Sequence, residues 1–165
     1  MEINTREHTP FRSSRGYPFR VDSRWYGGEA EIVSYEPDEL FGTKLRALLQ
    51  RDKNRDLFDL GEGLRSLNLD CDRVVAAFQF YLDQQGGAIS RANAEQRMLG
   101  KLRKSLTDDI DPLLPPHVDY PEAQAVAAFG EVWNKLIARL PGDPWRSSGK
   151  VIDAVRSSSL PDLLK

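Results

Sequence analysis

From about Glu36 to Leu140 the apolar residues recur at three- and four-residue spacings, in segments cut by polar, proline or glycine breaks. Such a pattern confines most of the chain to helices that each bury one stripe. Pro37, Asp38 and Glu39 form a helix start, with proline in the first turn and acids at the positive end of the dipole. That helix is expected to run to about Gln50. After a break at Asp52-Lys53-Asn54, a second helix is expected over about Arg55 to Leu67. Asp70 caps a third, Asp72 to Gln84, and Ser90 a fourth that runs to about Ser105. Asp108 to Leu114 reads as a short helical turn stopped by Pro115-Pro116. Tyr120 to Leu140 is the longest pattern, with Phe129, Val132, Trp133 and Leu136 on its apolar side.

Before Glu36 the character changes. Met1 to His8, Phe19 to Trp25 and Glu29 to Tyr35 read as strands, Thr9 to Gly16 as a loop, and Gly27-Gly28 as a turn. The expected fold is therefore α+β and mostly α. A β-rich portion over 1–35 precedes a helical bundle over 36–140 and a polar, partly mobile tail over 141–165, with Trp145 anchoring the tail.

Composition narrows the function. The formal net charge of -2 gives no overall basic field to draw nucleic acid or anionic membrane. A single cysteine, Cys71, cannot form an intrachain disulfide or a thiolate-rich zinc site. With no apolar run of about 18 residues, no membrane helix is expected, and a reducing cytoplasm is the expected compartment.

The chemistry concentrates between Glu39 and Leu60. On an ideal helix, Lys44 and Arg51 are seven apart and fall within about 20° of each other. On the next helix, Asp56 and Asp59 are three apart and therefore neighbours, and Gly63 leaves space beside them. A short turn lets the two polar faces meet. Lysine and arginine bind phosphate oxygens, and carboxylates orient them or hold a hydrated magnesium ion. The same spacings also describe a solvated outer face with ordinary surface salt bridges.

Glu39-Leu-Phe-Gly-Thr-Lys-Leu-Arg-Ala-Leu48, followed by Gln50-Arg-Asp-Lys-Asn-Arg-Asp-Leu-Phe-Asp-Leu60, resembles the signature of the AbiEii/AbiGii toxin family of nucleotidyltransferases. The resemblance implies a DNA polymerase β-like transferase that uses an NTP and magnesium, acts on an acceptor that is tRNA in some members, and works beside a separate antitoxin protein in type IV toxin–antitoxin or abortive-infection systems. It makes Lys44 the essential lysine and Asp56, with Asp59 second, the essential acid. Arg51 and Arg55 become the accompanying substrate-binding cations. Complete members also carry a Gly-Ser helix start and an Asp-x-Asp strand that holds the metals. Gly27-Gly28 leads into a strand instead. Asp70-Cys71-Asp72 reads as a helix cap, and Asp108-Asp109-Ile110-Asp111 as an acidic turn. The chain is thus expected to be the C-terminal portion of such a toxin, its strands a remnant of the transferase sheet, and to be inactive alone: a fragment, a truncated gene product, or a half that pairs with an upstream polypeptide. The alternative is a non-catalytic helical module that binds a partner protein or RNA. Arg12, Arg15, Arg20 and Arg24, interleaved with Phe11, Tyr17, Phe19 and Trp25, are candidates for an RNA contact. Lys101, Arg103 and Lys104 read as a solvated basic face.

Overall fold

The computed structural model describes residues 9–157, with the backbone alone over 154–157. Two strands come first, β1 (Arg15–Asp22) and β2 (Gly27–Ser34). Six α-helices follow among the described residues: α1 (Pro37–Gln50), α2 (Arg55–Ser66), α3 (Cys71–Asp83), α4 (Arg91–Lys101), α5 (Glu122–Lys135) and α6 (Ser148–Ser157). Single 3-10 turns lie at Asp111–Leu113 and Ile137–Arg139. The architecture is α+β and mostly α. The expected strand at Met1 to His8 lies outside the described residues.

β1 and β2 form an antiparallel hairpin in which Arg15 faces Ser34 and Asp22 faces Gly27. The turn falls four residues earlier than the glycine pair suggests. Ser23 closes it, its amide donating to the Tyr26 carbonyl at 2.9 Å and its Oγ accepting from the Tyr26 amide at 3.1 Å. Gly27 and Gly28 belong to β2, and the missing Cβ of Gly28 lets the Tyr26 ring lie over it. Pairing sets Tyr17 beside Ile32 and Phe19 beside Ala30 on one face. The Arg20–Glu29 ion pair (3.5 Å) stands on the other.

Helix starts follow local chemistry. Pro37 occupies the first turn of α1. Asp70 accepts from the amides of Asp72 and Arg73, and Ser90 from that of Asn93, so both cap their helices as expected. α1 packs on α3 and α2, α2 packs on α5, and α4 meets the turn at Ile137–Arg139. Leu45, Leu48, Leu57, Leu60, Phe78, Met98, Phe129 and Leu136 fill the core between them. Two close approaches depend on glycine. A Cβ on Gly42 would lie 2.7 Å from the Ala77 Cβ and 2.9 Å from the Phe78 amide nitrogen, and one on Gly61 would lie 2.5 Å from the Ala128 Cβ. The Tyr120–Leu140 segment is not one helix: α5 ends at Lys135 and the chain turns at Ile137, which is itself buried. Within the tail, Trp145, Val151 and Ile152 pack against the core, and the Trp145 amide donates to buried Glu95 at 2.8 Å.

The N-terminal segment is tied down by a buried acid. Glu39 is 1% exposed and accepts from the amides of Phe11 (2.7 Å) and Arg12 (3.0 Å) and from the Tyr81 hydroxyl. Burial, and then the bond to Glu39, raise the Tyr81 hydroxyl well above its ordinary pKa. The sequence presents Glu39 as a dipole-stabilising acid; the fold uses it as an anchor for chain 28 residues away.

Gly61→Ala is expected to cost about 1–3 kcal/mol by overpacking α2 against α5. Gly100→Ala, in α4 where a Cβ meets nothing within 4 Å, is expected to gain about 0.5–1 kcal/mol. Thermal melts of the two variants should move in opposite directions, and a shared direction would refute this packing account.

Candidate functional site

The site forms where the C-terminal half of α1 faces the first turn of α2. Lys44 reaches across between the helices. Its Nζ lies 2.9 Å from Asp59 Oδ2 and 3.8 Å from Asp56 Oδ1. Both ends of this arrangement are fixed by packing, because Leu45 and Leu48 on one side and Leu57 and Leu60 on the other are fully buried. Asp56 is 2% exposed, so it is no part of a solvated outer face. Its Oδ2 is buried and takes part in no hydrogen bond among the described residues.

Burial pushes the Asp56 carboxyl above the usual aspartate range, against the pull of Lys44 and, more weakly, of Arg51 and Arg55. Asp59 is less enclosed and adds a like charge that pushes the same way as burial. A buried acid with one orphan oxygen, beside a lysine and near two arginines, can accept a proton or help hold a cation. The three cations can spread the charge of a phosphate.

Two details sharpen this picture. Arg51 is the extended C-cap residue of α1 (φ -106, ψ 147), its amide still donating to the Ala47 carbonyl, so the chain leaves the helix just beyond it. Arg51 and Arg55 are exposed and act on Asp56 through space. Gly63 leaves no space beside the acids. An added Cβ would lie 2.1 Å from the Phe41 ring, which fills that position. The fold thus brings together Lys44, Asp56 and Asp59, and leaves Arg51 and Arg55 at the rim.

The connector between α1 and α2 is held by residues to which the sequence assigns no part in the site. Lys101 is 5% exposed, and its Nζ donates to the carbonyls of Arg51 and Lys53, each at 3.0 Å. It is not on a solvated face. Its position gives the reason, since Ala94, Met98 and Lys101 share one arc of α4 and the first two are fully buried. Arg97 Nη1 donates to the Leu49 carbonyl at 2.7 Å. Asp109 accepts from the Asn54 amide at 3.0 Å and from Lys53 at 2.8 Å. Asn54 Nδ2 in turn donates to the Ser105 carbonyl at 3.1 Å.

On the hairpin, Arg24 stands over the Trp25 ring at 5.2 Å and Arg15 over Tyr17 at 5.9 Å. Trp25 is 86% exposed. Among the described residues, no three His, Cys, Asp or Glu side chains are grouped to hold a metal ion. No helix among them is long and apolar enough to cross a membrane.

Fold and site together define an α+β protein with a lysine clasped by two acids at a helix–helix junction. A family model described as the nucleotidyl transferase AbiEii toxin of type IV toxin–antitoxin systems matches residues 1–144. The chain belongs to this AbiEii nucleotidyltransferase toxin family. No curated protein and no solved structure matches it.

The raised pKa of Asp56 has a definite sign. A carboxyl whose folded pKa lies above its unfolded value favours the fold fully below the unfolded value, and loses that contribution as pH rises through the folded one. Asp56→Asn keeps the Lys44–Asp59 pair and removes the titration. Its melting temperature relative to the natural chain should therefore rise between about pH 4 and about pH 7. A difference that falls over that interval would show that pairing with Lys44 outweighs burial.

Proposed function

We propose that Lys44, Asp56 and Asp59 form the phosphate-handling part of a nucleotidyltransferase site, with Arg51 and Arg55 as flanking substrate-binding cations. The observation that carries this reading is the clasp of Lys44 by one buried and one half-exposed acid. An ordinary surface ion pair needs no acid as buried as Asp56. In this reading Lys44 and the arginines bind the triphosphate of an NTP. Asp56 and Asp59 hold the ammonium in place, and Asp56, its pKa raised, takes up a proton from the acceptor hydroxyl.

Magnesium does not fit these residues alone. Their donor set is two carboxylates facing one ammonium, whereas a magnesium ion at a transferase centre needs carboxylates free to face it and the phosphates. We therefore assign no step through the metal to this chain. The metal-holding acids belong to a part of the enzyme outside the described residues, and an upstream polypeptide bearing an Asp-x-Asp strand is the source we favour. An antitoxin protein is the partner that the family membership supports, and a tRNA acceptor belongs to our reading of the site. The cytoplasm, during phage abortive infection or toxin–antitoxin control, is the setting in which the chain would act.

A second reading has its own observation. The exposed Arg24–Trp25 pair, with exposed Arg15 over the half-buried Tyr17 ring beside it, suits a non-catalytic module that binds RNA or a partner protein through the hairpin.

Two measurements test the first reading. ATP affinity, followed by calorimetry, should fall about tenfold or more in Lys44→Met, a loss of about 1.4 kcal/mol or more. It should change little in Arg24→Ala. With labelled NTP, magnesium and total tRNA, the chain alone should transfer no label. Equal ATP affinity in Lys44→Met would refute the phosphate site, and robust transfer by the chain alone would refute its dependence on a second polypeptide.

A further inference from the structure

Every residue of the four-residue connector between α1 and α2 is gripped by chain from α4 to Asp109. Lys101 holds the carbonyls of Arg51 and Lys53. Lys104 pairs with Asp52 at 2.6 Å. Asp109 binds Lys53 and the Asn54 amide, and Ser105 accepts from the Asn54 side chain. One turn earlier, Arg97 takes the Leu49 carbonyl. Carbonyls at a helix C-terminus lack intrahelical donors and attract cations. The carbonyls of Leu49 and Arg51, at that end of α1, and of Lys53, further along the connector, receive donors from two residues of α4 spaced four apart.

A surface connector does not require this. Water satisfies exposed carbonyls at little cost, whereas a lysine buried to 5% exposure gives up its hydration shell. Burial lowers the Lys101 pKa, and the nearby acids Asp52, Asp56 and Asp109 oppose that shift. What the grip fixes is the relation between the end of α1, which carries Lys44, and the start of α2, which carries Asp56 and Asp59. Asp56 lies only two residues beyond Asn54, the last residue gripped.

We propose that Lys101, assisted by Arg97 and Asp109, is a positioning residue that holds the α1–α2 junction so that Lys44 stays clasped between Asp56 and Asp59. The consequence for nucleotide binding rests on the phosphate-site reading above; the positioning itself does not. A misplacement of about 1 Å at a site of this kind costs up to about a hundredfold in function.

The test uses the full chain and three variants. Lys101→Met keeps the apolar stem and removes both donors, Lys101→Arg keeps a charged donor, and Asp109→Ala releases Asn54 and Lys53 from the other side. The rate at which Lys44 is reductively methylated, mapped by mass spectrometry, reports its clasp without any ligand. Lys135, paired with Glu131 on α5, serves as the control for general loosening. Lys101→Met should speed Lys44 modification several-fold and weaken ATP binding about tenfold or more, with Lys135 unchanged. Lys101→Arg should restore both readouts. Asp109→Ala should speed Lys44 modification in the same direction, and it decides the matter if Lys101→Met does not fold. Wild-type Lys44 reactivity in a folded Lys101→Met or Asp109→Ala chain would overturn the proposal, as would equal acceleration at Lys135. If the natural chain binds no ATP, the phosphate-site reading fails, and the Lys44 rates still decide the positioning claim.

Discussion

The burial of Asp56 is the constraint on which the rest of the site depends. A carboxyl removed from water is costly unless a charge or donor compensates it. Here Lys44 supplies the compensation from the neighbouring helix, and Asp59 completes the clasp on the more open side. For that to work, the α1–α2 junction must have one geometry. The leucines of the core set the separation of the helices, and the cations of α4 fix the turn between them. Gly42 and Gly61 let α3 and α5 approach closely on the outer sides. The site is therefore a product of the whole bundle, although its residues come from a stretch of sixteen positions, Lys44 to Asp59.

Buried polar groups recur as fasteners in this small fold. Glu39 binds the segment before the hairpin to α1 and α3. Glu95 joins Arg91 to the start of the tail through the Trp145 amide. Lys101 closes the connector. Each such group is buried with its partners satisfied by neighbouring chain, which gives geometric specificity that a purely apolar contact lacks. Each also ties together segments distant in sequence.

That distance explains what the sequence revealed and what it did not. Helix periods, the caps at Asp70 and Ser90, and the kinship of the Glu39–Leu60 block are local signals, and all three hold in the structure and in the family match. The turn at Ser23–Tyr26 is masked by a more obvious glycine pair, of which Gly28 admits an aromatic ring. Lys101 was legible in principle, since it shares the buried arc of Ala94 and Met98. Its charge hid it, because a lysine beside Arg103 and Lys104 normally marks a solvated face. Glu39 and Asp109 find their partners 28 and 55 residues away, and no local pattern foretells such pairings.

The central claim is that the lysine clasped between Asp56 and Asp59 is a phosphate site rather than a structural ion pair. Mapping amide and side-chain resonances of the chain by NMR during titration with ATP tests it most directly. The account predicts that the largest perturbations fall on Lys44, Arg51, Arg55, Asp56 and Asp59, at the junction of α1 and α2. Perturbations confined to the hairpin around Arg24 and Trp25, or none at saturating ATP, would contradict it.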